Sequence, residues 1–414
     1  MQKSKDYSQP VAMIAFTLMC IGVVMVYSAQ ASYDFVFSWY RILLYVAAVV
    51  VALLASLVPY SWLSFPNASL IREEAARGNT KLTGLLRAGI RAALLPAFML
   101  LTFALLALIL AGFGERVNNS VRWIKLGPVQ FQPSEMAKYC VIFYVSWFAV
   151  HKGDMIEACG FRNTMRNIGG LFRGRLGENL AFIAKLGAYM AVPLAYILLV
   201  IINDFGTGFF IFMLMLIILL LGRLPLWTLA GSVLAAAPAM AFFVYARPYR
   251  LRRILAFLSE SSEYNDINYQ QNQSLMAISS GGLFGKGIGR GVCKWGSVPE
   301  GKTDFIFSII CEEFGAIGAL VVVGLFTALL IYGTRISMRC KDPFGKLLAF
   351  AISAGISIQA FINILVVVKL MPNKGIPLPF ISAGGTSLLI GAAGIGVLMN
   401  IARRNASELP EVER

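Results

Sequence analysis

Long apolar runs, interrupted by short polar stretches, fill most of the chain. A helix needs about 20 apolar residues to cross the hydrocarbon core of a bilayer. Ten segments approach or meet that length: 10–28, 39–58, 92–112, 137–150, 180–202, 205–222, 226–245, 305–332, 347–369 and 384–402. The pattern predicts an all-α polytopic integral membrane protein of about ten transmembrane helices, a single membrane domain over residues 1–414. An even number of spans leaves both termini on one side. Lys and Arg crowd that side: Arg72, Arg77, Lys81, Arg87 and Arg91, then Lys152, Arg162, Arg166, Arg173 and Arg175, then Arg335, Arg339, Lys341, Lys346, Arg403 and Arg404. The positive-inside rule therefore puts both termini in the cytoplasm. Lys3 and Lys5 precede an apolar run from Val11 to Val26 that lacks a convincing cleavage site, so it reads as a retained first helix. Two longer polar stretches face outward, 112–136 and 246–304, the latter a large extracytoplasmic loop between helices 7 and 8.

Composition agrees and adds exclusions. Hydrophobic residues make up 58%, charged residues 14%, and the mean hydropathy is +0.72, a balance no soluble domain of 414 residues sustains. The net charge of +15 raises nucleic acid as a partner, but no basic run with interleaved aromatics sits in a soluble domain. Contact with anionic membrane lipid accounts for it instead. The six cysteines form no CxxC pair and only Cys293 falls outside, which excludes an external disulfide framework.

The candidate chemistry lies in the outward stretches. In "VRWIKLGPVQFQPSEMAK" (121–138), Arg122 and Lys125 flank Trp123, suiting a headgroup interface where phosphate is held. "QPSE" reads as a helix start, with Pro133 in the first turn, Ser134 as polar cap and Glu135 near the positive end of the dipole. Glu135 and Lys138 share a helix face and can pair; an ordinary interfacial helix start explains them as well. "INDFGTGFF" reads as a tight external turn between two spans. "RPYRLRRILAFLSE" places Arg247, Arg250, Arg252 and Arg253 on an amphipathic helix suited to diphosphate or lipid headgroups. The glycines of "SSGGLFGKGIGRG" lack the strand–turn–helix context of a dinucleotide site. In "KTDFIFSIICEEFG", Asp304 stands at the lip of a span, where reduced dielectric favours a base. Glu312 and Glu313 fall inside the expected span, either functional or paired with Arg or Lys from another helix. "MPNKGIPLPFISAGGTS" holds too much proline and glycine for a regular helix, which leaves Lys374 and Ser382 to meet a polar headgroup.

Taken in order, "RWIKLGPVQFQPSE", "NDFGT", "YRLRR", "KTDFIFSIICEEFG" and "NKGIPLPFISAGGTS" resemble the SEDS family of bacterial cell-wall proteins, and more its division member than its elongation member. The resemblance implies a glycosyltransferase that polymerises lipid II into glycan strands outside the cytoplasmic (inner) membrane, beside a class B penicillin-binding transpeptidase and other division proteins. It puts the catalytic aspartate at Asp304, the acid and lysine of the helix start at Glu135 and Lys138, and the serine of the ISYGGS segment at Ser382. Three departures stand out: the QPDLG turn reads Ile202–Gly206, the tyrosine of ISYGGS is Ala383, and the histidine often preceding TDFIF is Lys302.

The implied reaction inverts an α-linked diphosphate donor. Asp304 takes the proton of the acceptor hydroxyl, and Lys138, Arg122 and the arginines from 247 to 253 answer the developing diphosphate charge. A divalent cation, Mg or Mn, is left open as a cofactor, although no His/Asp cluster marks a site for it. The rival reading is a lipid flippase or transporter. It would favour inverted repeats, and none is visible.

Overall fold

In the computed structural model, the described residues are 6–30, 39–65, 71, 76, 81–117, 120–126, 129–159, 176–259, 265–293 and 301–408. Lys3, Lys5 and the arginines at 72, 77, 162, 166, 173 and 175, expected on the cytoplasmic side, lie outside them, as do Pro299 and Glu300. The helices are α1 (Ser8–Gln30), α2 (Trp39–Leu57), α3 (Lys81–Leu108), α4 (Pro133–His151), a short α5 (Gly153–Ala158), α6 (Leu176–Asn203), α7 (Phe205–Leu221), α8 (Leu226–Tyr245), α9 (Pro248–Leu258), α10 (Asn265–Gly281), α11 (Ile306–Arg339), α12 (Pro343–Val367) and α13 (Gly385–Glu408). A helix overlaps each of the ten expected spans. Among the described residues, eight apolar stretches are long enough to cross a membrane: Ser8–Ala29, Trp39–Leu57, Leu82–Phe113, Ala184–Asn203, Leu226–Tyr245, Ile306–Arg339, Pro343–Val367 and Gly385–Ser407. The chain is a multi-pass membrane protein.

Two helices fall short of that measure, for different reasons. The apolar α7 has 17 residues. α4 opens on the polar residues Ser134, Glu135 and Lys138 and is buried along almost its whole length. A helix covered on all sides by protein needs no apolar stripe toward lipid.

The chain divides into two compact units. One comprises residues 59–243 and 341–351, with α4 enclosed by α3, α6 and α7. Hydrogen bonds tie these helices: Tyr144 to the Tyr189 carbonyl at 2.9 Å, and Tyr196 to the Met99 carbonyl at 2.7 Å. This unit also holds a feature the sequence reading missed, a small antiparallel meander of β1 (Glu115–Val117), β2 (Ser120–Leu126) and β3 (Val129–Phe131). β2 pairs Trp123 with Glu115 and Ile124 with Phe131. The signal was present: two runs of β-branched and aromatic residues on either side of Gly127 and Pro128.

The other unit comprises residues 1–58, 244–340 and 352–414. Here α13 packs along α2, where Gly396 meets the Ala52 carbonyl and Asn400 donates to the Ser56 carbonyl at 2.8 Å. α1 and α10 both pack on α11. α11 is broken at Gly315, with φ 67° and ψ −163°.

Candidate active site

Asp304 lies in a turn over residues 301–305 that feeds directly into α11. Its backbone is held from one side by three neighbours. The Lys302 carbonyl accepts from the Ala383 N–H at 3.1 Å, the Thr303 carbonyl from the Ser382 hydroxyl at 2.6 Å, and the Asp304 carbonyl from the Asn363 amide at 2.7 Å. The residue itself remains half-buried.

Asn363, on α12, is only 1% exposed and gives its other N–H to the Ile376 carbonyl at 2.7 Å. Two carbonyl acceptors fix the amide's orientation, because only the NH2 end donates. One turn earlier on the same face, Gln359 donates to the Pro377 carbonyl at 3.2 Å. The irregular proline-rich segment after α12 thus finds for its backbone the partners a regular helix would have supplied. Its tightness shows at Phe380, a buried non-glycine residue at φ 65°.

Ser382 was expected to meet a headgroup. It is buried instead, and its hydroxyl accepts the Leu378 N–H at 2.7 Å while donating to Thr303. It therefore positions the turn that carries Asp304. Lys374, on the same segment, is half-buried. The expected amphipathic helix is α9: Arg247 occupies its N-cap position and is exposed, and Arg250 in its first turn is half-buried. Arg253 donates to the Asn373 carbonyl at 3.1 Å and lies over the Tyr249 ring, 4.4 Å from its centroid. The arginine helix is thereby tied to the segment bearing Lys374. From α10, Gln271 reaches the Val366 and Met371 carbonyls at 2.8 and 2.9 Å, and Ser274 reaches Val367 at 2.8 Å. These side chains tie α10 to the end of α12 and to the segment that follows it.

Glu312 and Glu313 turn in different directions, as neighbours about 100° apart on a helix must. Glu313 accepts from the Ser28 hydroxyl of α1 at 2.6 Å. Glu312 pairs with Lys286 at 2.8 Å, so its cation comes from the glycine-rich loop and not from another helix.

The other candidate residues belong to the α4 unit. Glu135 and Lys138 pair at 2.9 Å, with side chains only 4% and 5% exposed. Ser134 does not cap the helix: Gln132 takes the N-cap position without a side-chain cap bond, and the Ser134 hydroxyl is buried without a hydrogen-bond partner. Proline at the first position already removes one of the donors a cap would satisfy. Arg122 and Lys125 lie three apart on β2, so their side chains leave opposite faces of the strand. Arg122 pairs with Asp204 at 3.3 Å, and Lys125 approaches Glu115 across the strands at 3.9 Å. Asp204 also caps α7, accepting from the Thr207 N–H at 3.1 Å and its hydroxyl at 2.8 Å. The expected tight turn is this single capping residue between α6 and α7.

The sequence reading passed over Asn363 and Gln359. Their signal was two amides four residues apart in an otherwise apolar helix, where polar side chains call for a partner.

Against known proteins, the profile of the FtsW/RodA/SpoVE cell cycle protein family matches residues 84–407. A protein of Geobacter sp. (strain M18) named probable peptidoglycan glycosyltransferase FtsW is 31% identical over 412 residues, covering 98% of this chain and 99% of its own length. A Halorhodospira halophila protein of the same name is 35% identical over 308 residues, 73% of this chain and 72% of its own. Among solved structures, a chain from a peptidoglycan synthase complex aligns with TM-score 0.64 at 20% identity, covering 96% of this chain and 98% of its own. The Thermus thermophilus rod shape determining protein RodA aligns with TM-score 0.57 at 21% identity, covering 96% of each chain. This chain belongs to the FtsW/RodA/SpoVE family of cell cycle proteins.

Proposed function

We propose that this chain polymerises lipid II into glycan strands at the outer face of the bacterial inner membrane, with both termini in the cytoplasm. It is a peptidoglycan glycosyltransferase of the division-associated FtsW type, working beside a class B penicillin-binding transpeptidase. The observation that carries the mechanism is the triple restraint on residues 302–304, which holds Asp304 in place while leaving it half-buried at the head of α11. A base is effective when its geometry is fixed before the reaction begins.

Asp304 removes the proton from the acceptor's sugar hydroxyl as that oxygen attacks the donor's anomeric carbon. The bond to the lipid diphosphate breaks on the opposite face, and the diphosphate leaves with the bonding electrons. The configuration therefore inverts from α to β. Arg247, Arg250 and Lys374, from the same unit as Asp304, are assigned to the diphosphate charge. Among the described residues, no three His, Cys, Asp or Glu side chains gather to hold a metal. The carboxylates of Glu135, Asp204 and Glu312 already face cations. Those three carboxylates are engaged, and no step of the proposed reaction is routed through a divalent cation.

The test uses purified protein, alone and with its transpeptidase, supplied with labelled lipid II. The parent should yield glycan polymer, and Asp304→Ala should yield none at equal folded yield. Parental polymerisation by that variant removes the base assignment. Lipid movement across the bilayer without polymer supports a flippase instead.

A further inference from the structure

The loop after α10, residues 282–293, and the break in α11 fit together as one element. In an unbroken helix the N–H groups of Ala316 and Ile317 would bond the carbonyls of Glu312 and Glu313. At the break those four groups part, and the loop takes up all of them. The Lys286 and Gly287 N–H groups donate to the Glu312 and Glu313 carbonyls at 2.9 and 3.0 Å. The Gly282 and Leu283 carbonyls accept from Ala316 and Ile317 at 2.9 and 3.3 Å. The close fit depends on glycine. A Cβ on Gly315 would stand 2.4 Å from the Leu283 carbonyl oxygen, and one on Gly285 would stand 2.2 Å from that of Glu313. Both residues also sit at positive φ, 67° and 78°.

The Glu312 side chain fastens the far end of the loop. Fully buried, it receives the Lys286 ammonium and the Val292 N–H, both at 2.8 Å, and the Cys293 N–H at 3.2 Å. A buried carboxylate survives only with such a full set of donors.

We propose that Glu312 is a positioning residue for glycosyl transfer: it pins the glycine-rich loop into the break of α11 and so holds the outer piece of that helix, 306–314, at whose head Asp304 stands. The outer piece takes its heading from the loop, which splints it to the first residues of the membrane-spanning remainder of α11. The inference rests on the reading of Asp304 as the base.

Cys293 reports on the pin independently of activity, because its own N–H bonds Glu312. The experiment measures N-ethylmaleimide labelling of Cys293 by peptide mass spectrometry, together with lipid II polymerisation, in the full-length protein. Variants are Glu312→Gln and Lys286→Met. Release of the loop should raise labelling about tenfold in both single variants. It should lower kcat about tenfold or more while KM for lipid II holds. Lys286→Met is the decisive case. Losing the ammonium by itself makes the thiolate harder to form, so faster labelling there means release and not a change of charge. Lys286 is partly exposed, so this variant also guards against misfolding of Glu312→Gln. Unchanged or slower labelling in folded Lys286→Met overturns the pin, and faster labelling with parental kcat overturns its positioning role. Asp304→Ala should abolish polymer while leaving labelling at the parental rate. Polymer from that variant defeats the base assignment and leaves the pin to be judged by labelling alone.

Discussion

Asn363 bears the heaviest structural demand near Asp304, and two substitutions separate what it does from the space it fills. Asn363→Ala removes two donors from the Asp304 and Ile376 carbonyls, each held at 2.7 Å. An acceptor left buried without its donor costs about 1–3 kcal/mol. The pair together should lower stability by roughly 4 kcal/mol, a large part of a typical folding free energy. Asn363→Asp keeps the shape but turns an oxygen toward two carbonyl oxygens, so it should be at least as damaging despite its closer fit. If packing were the whole role, Asp would do better than Ala. The catalytic effect follows from position: a shift of the base by ~1 Å costs on the order of a hundredfold in rate. Thermal unfolding of the solubilised protein gives the first quantity, and lipid II polymerisation under saturating substrate gives the second. Parental rate and unfolding midpoint in Asn363→Asp would refute the restraint argument.

Two further outcomes follow from other contacts. Arg122→Met removes the cation beside Asp204, whose side chain is 5% exposed and must still cap α7. Breaking a buried ion pair from one side costs about 3–5 kcal/mol. Asp204→Asn in the same background should recover part of that loss in a thermal melt, and no recovery would show that the pair carries little. At Cys293, burial first, and then Glu312 beside it, push the thiol above its ordinary range, while Lys286 pulls the other way. Only the thiolate reacts, so Cys293 alkylation in the parent should be slow near neutral pH. It should still be climbing at pH values where a small free thiol in solution has levelled off; a plateau at the same pH for both thiols contradicts the burial.

Hydrophobic periodicity placed a helix at each expected span because run length alone reports what a bilayer requires. It misjudged ends where polar residues continue a helix. α3 begins at Lys81, before the apolar run, and α11 continues to Arg339. The meander at 115–131 escaped because three short strands carry too little pattern beside spans of 20 residues or more. Within the site, acids and bases were legible as types at particular places. Asp304, Glu135 and Lys138 could be singled out, and the pairing of the last two followed from spacing. What held Asp304 was not legible. The bonds from Ser382 and Asn363 link residues 79 and 59 positions away in the chain. Ser382 was read as meeting a headgroup because its neighbours are prolines and glycines, whereas those residues bend the chain so that its hydroxyl bonds the Leu378 N–H and the Thr303 carbonyl.

The break at Gly315 also bears on how the protein tolerates different lipids. As one rigid rod, the 34 residues of α11 would be about 51 Å long, well beyond a hydrocarbon core of ~30 Å. Residues 316–339 alone, about 36 Å, suffice to cross. Spans tilt to match bilayer thickness. If the outer piece followed rigidly, a 14 Å extension swung through roughly 10° would carry Asp304 about 2 Å, more than a catalytic base can absorb. With the helix cut, that swing reaches the outer piece only through the loop's hydrogen bonds to both sides of the break and not through a continuous helical rod. Polymerisation should then stay nearly constant as the acyl chains of the surrounding lipid are lengthened, with the tilt of residues 316–339 taking up the difference.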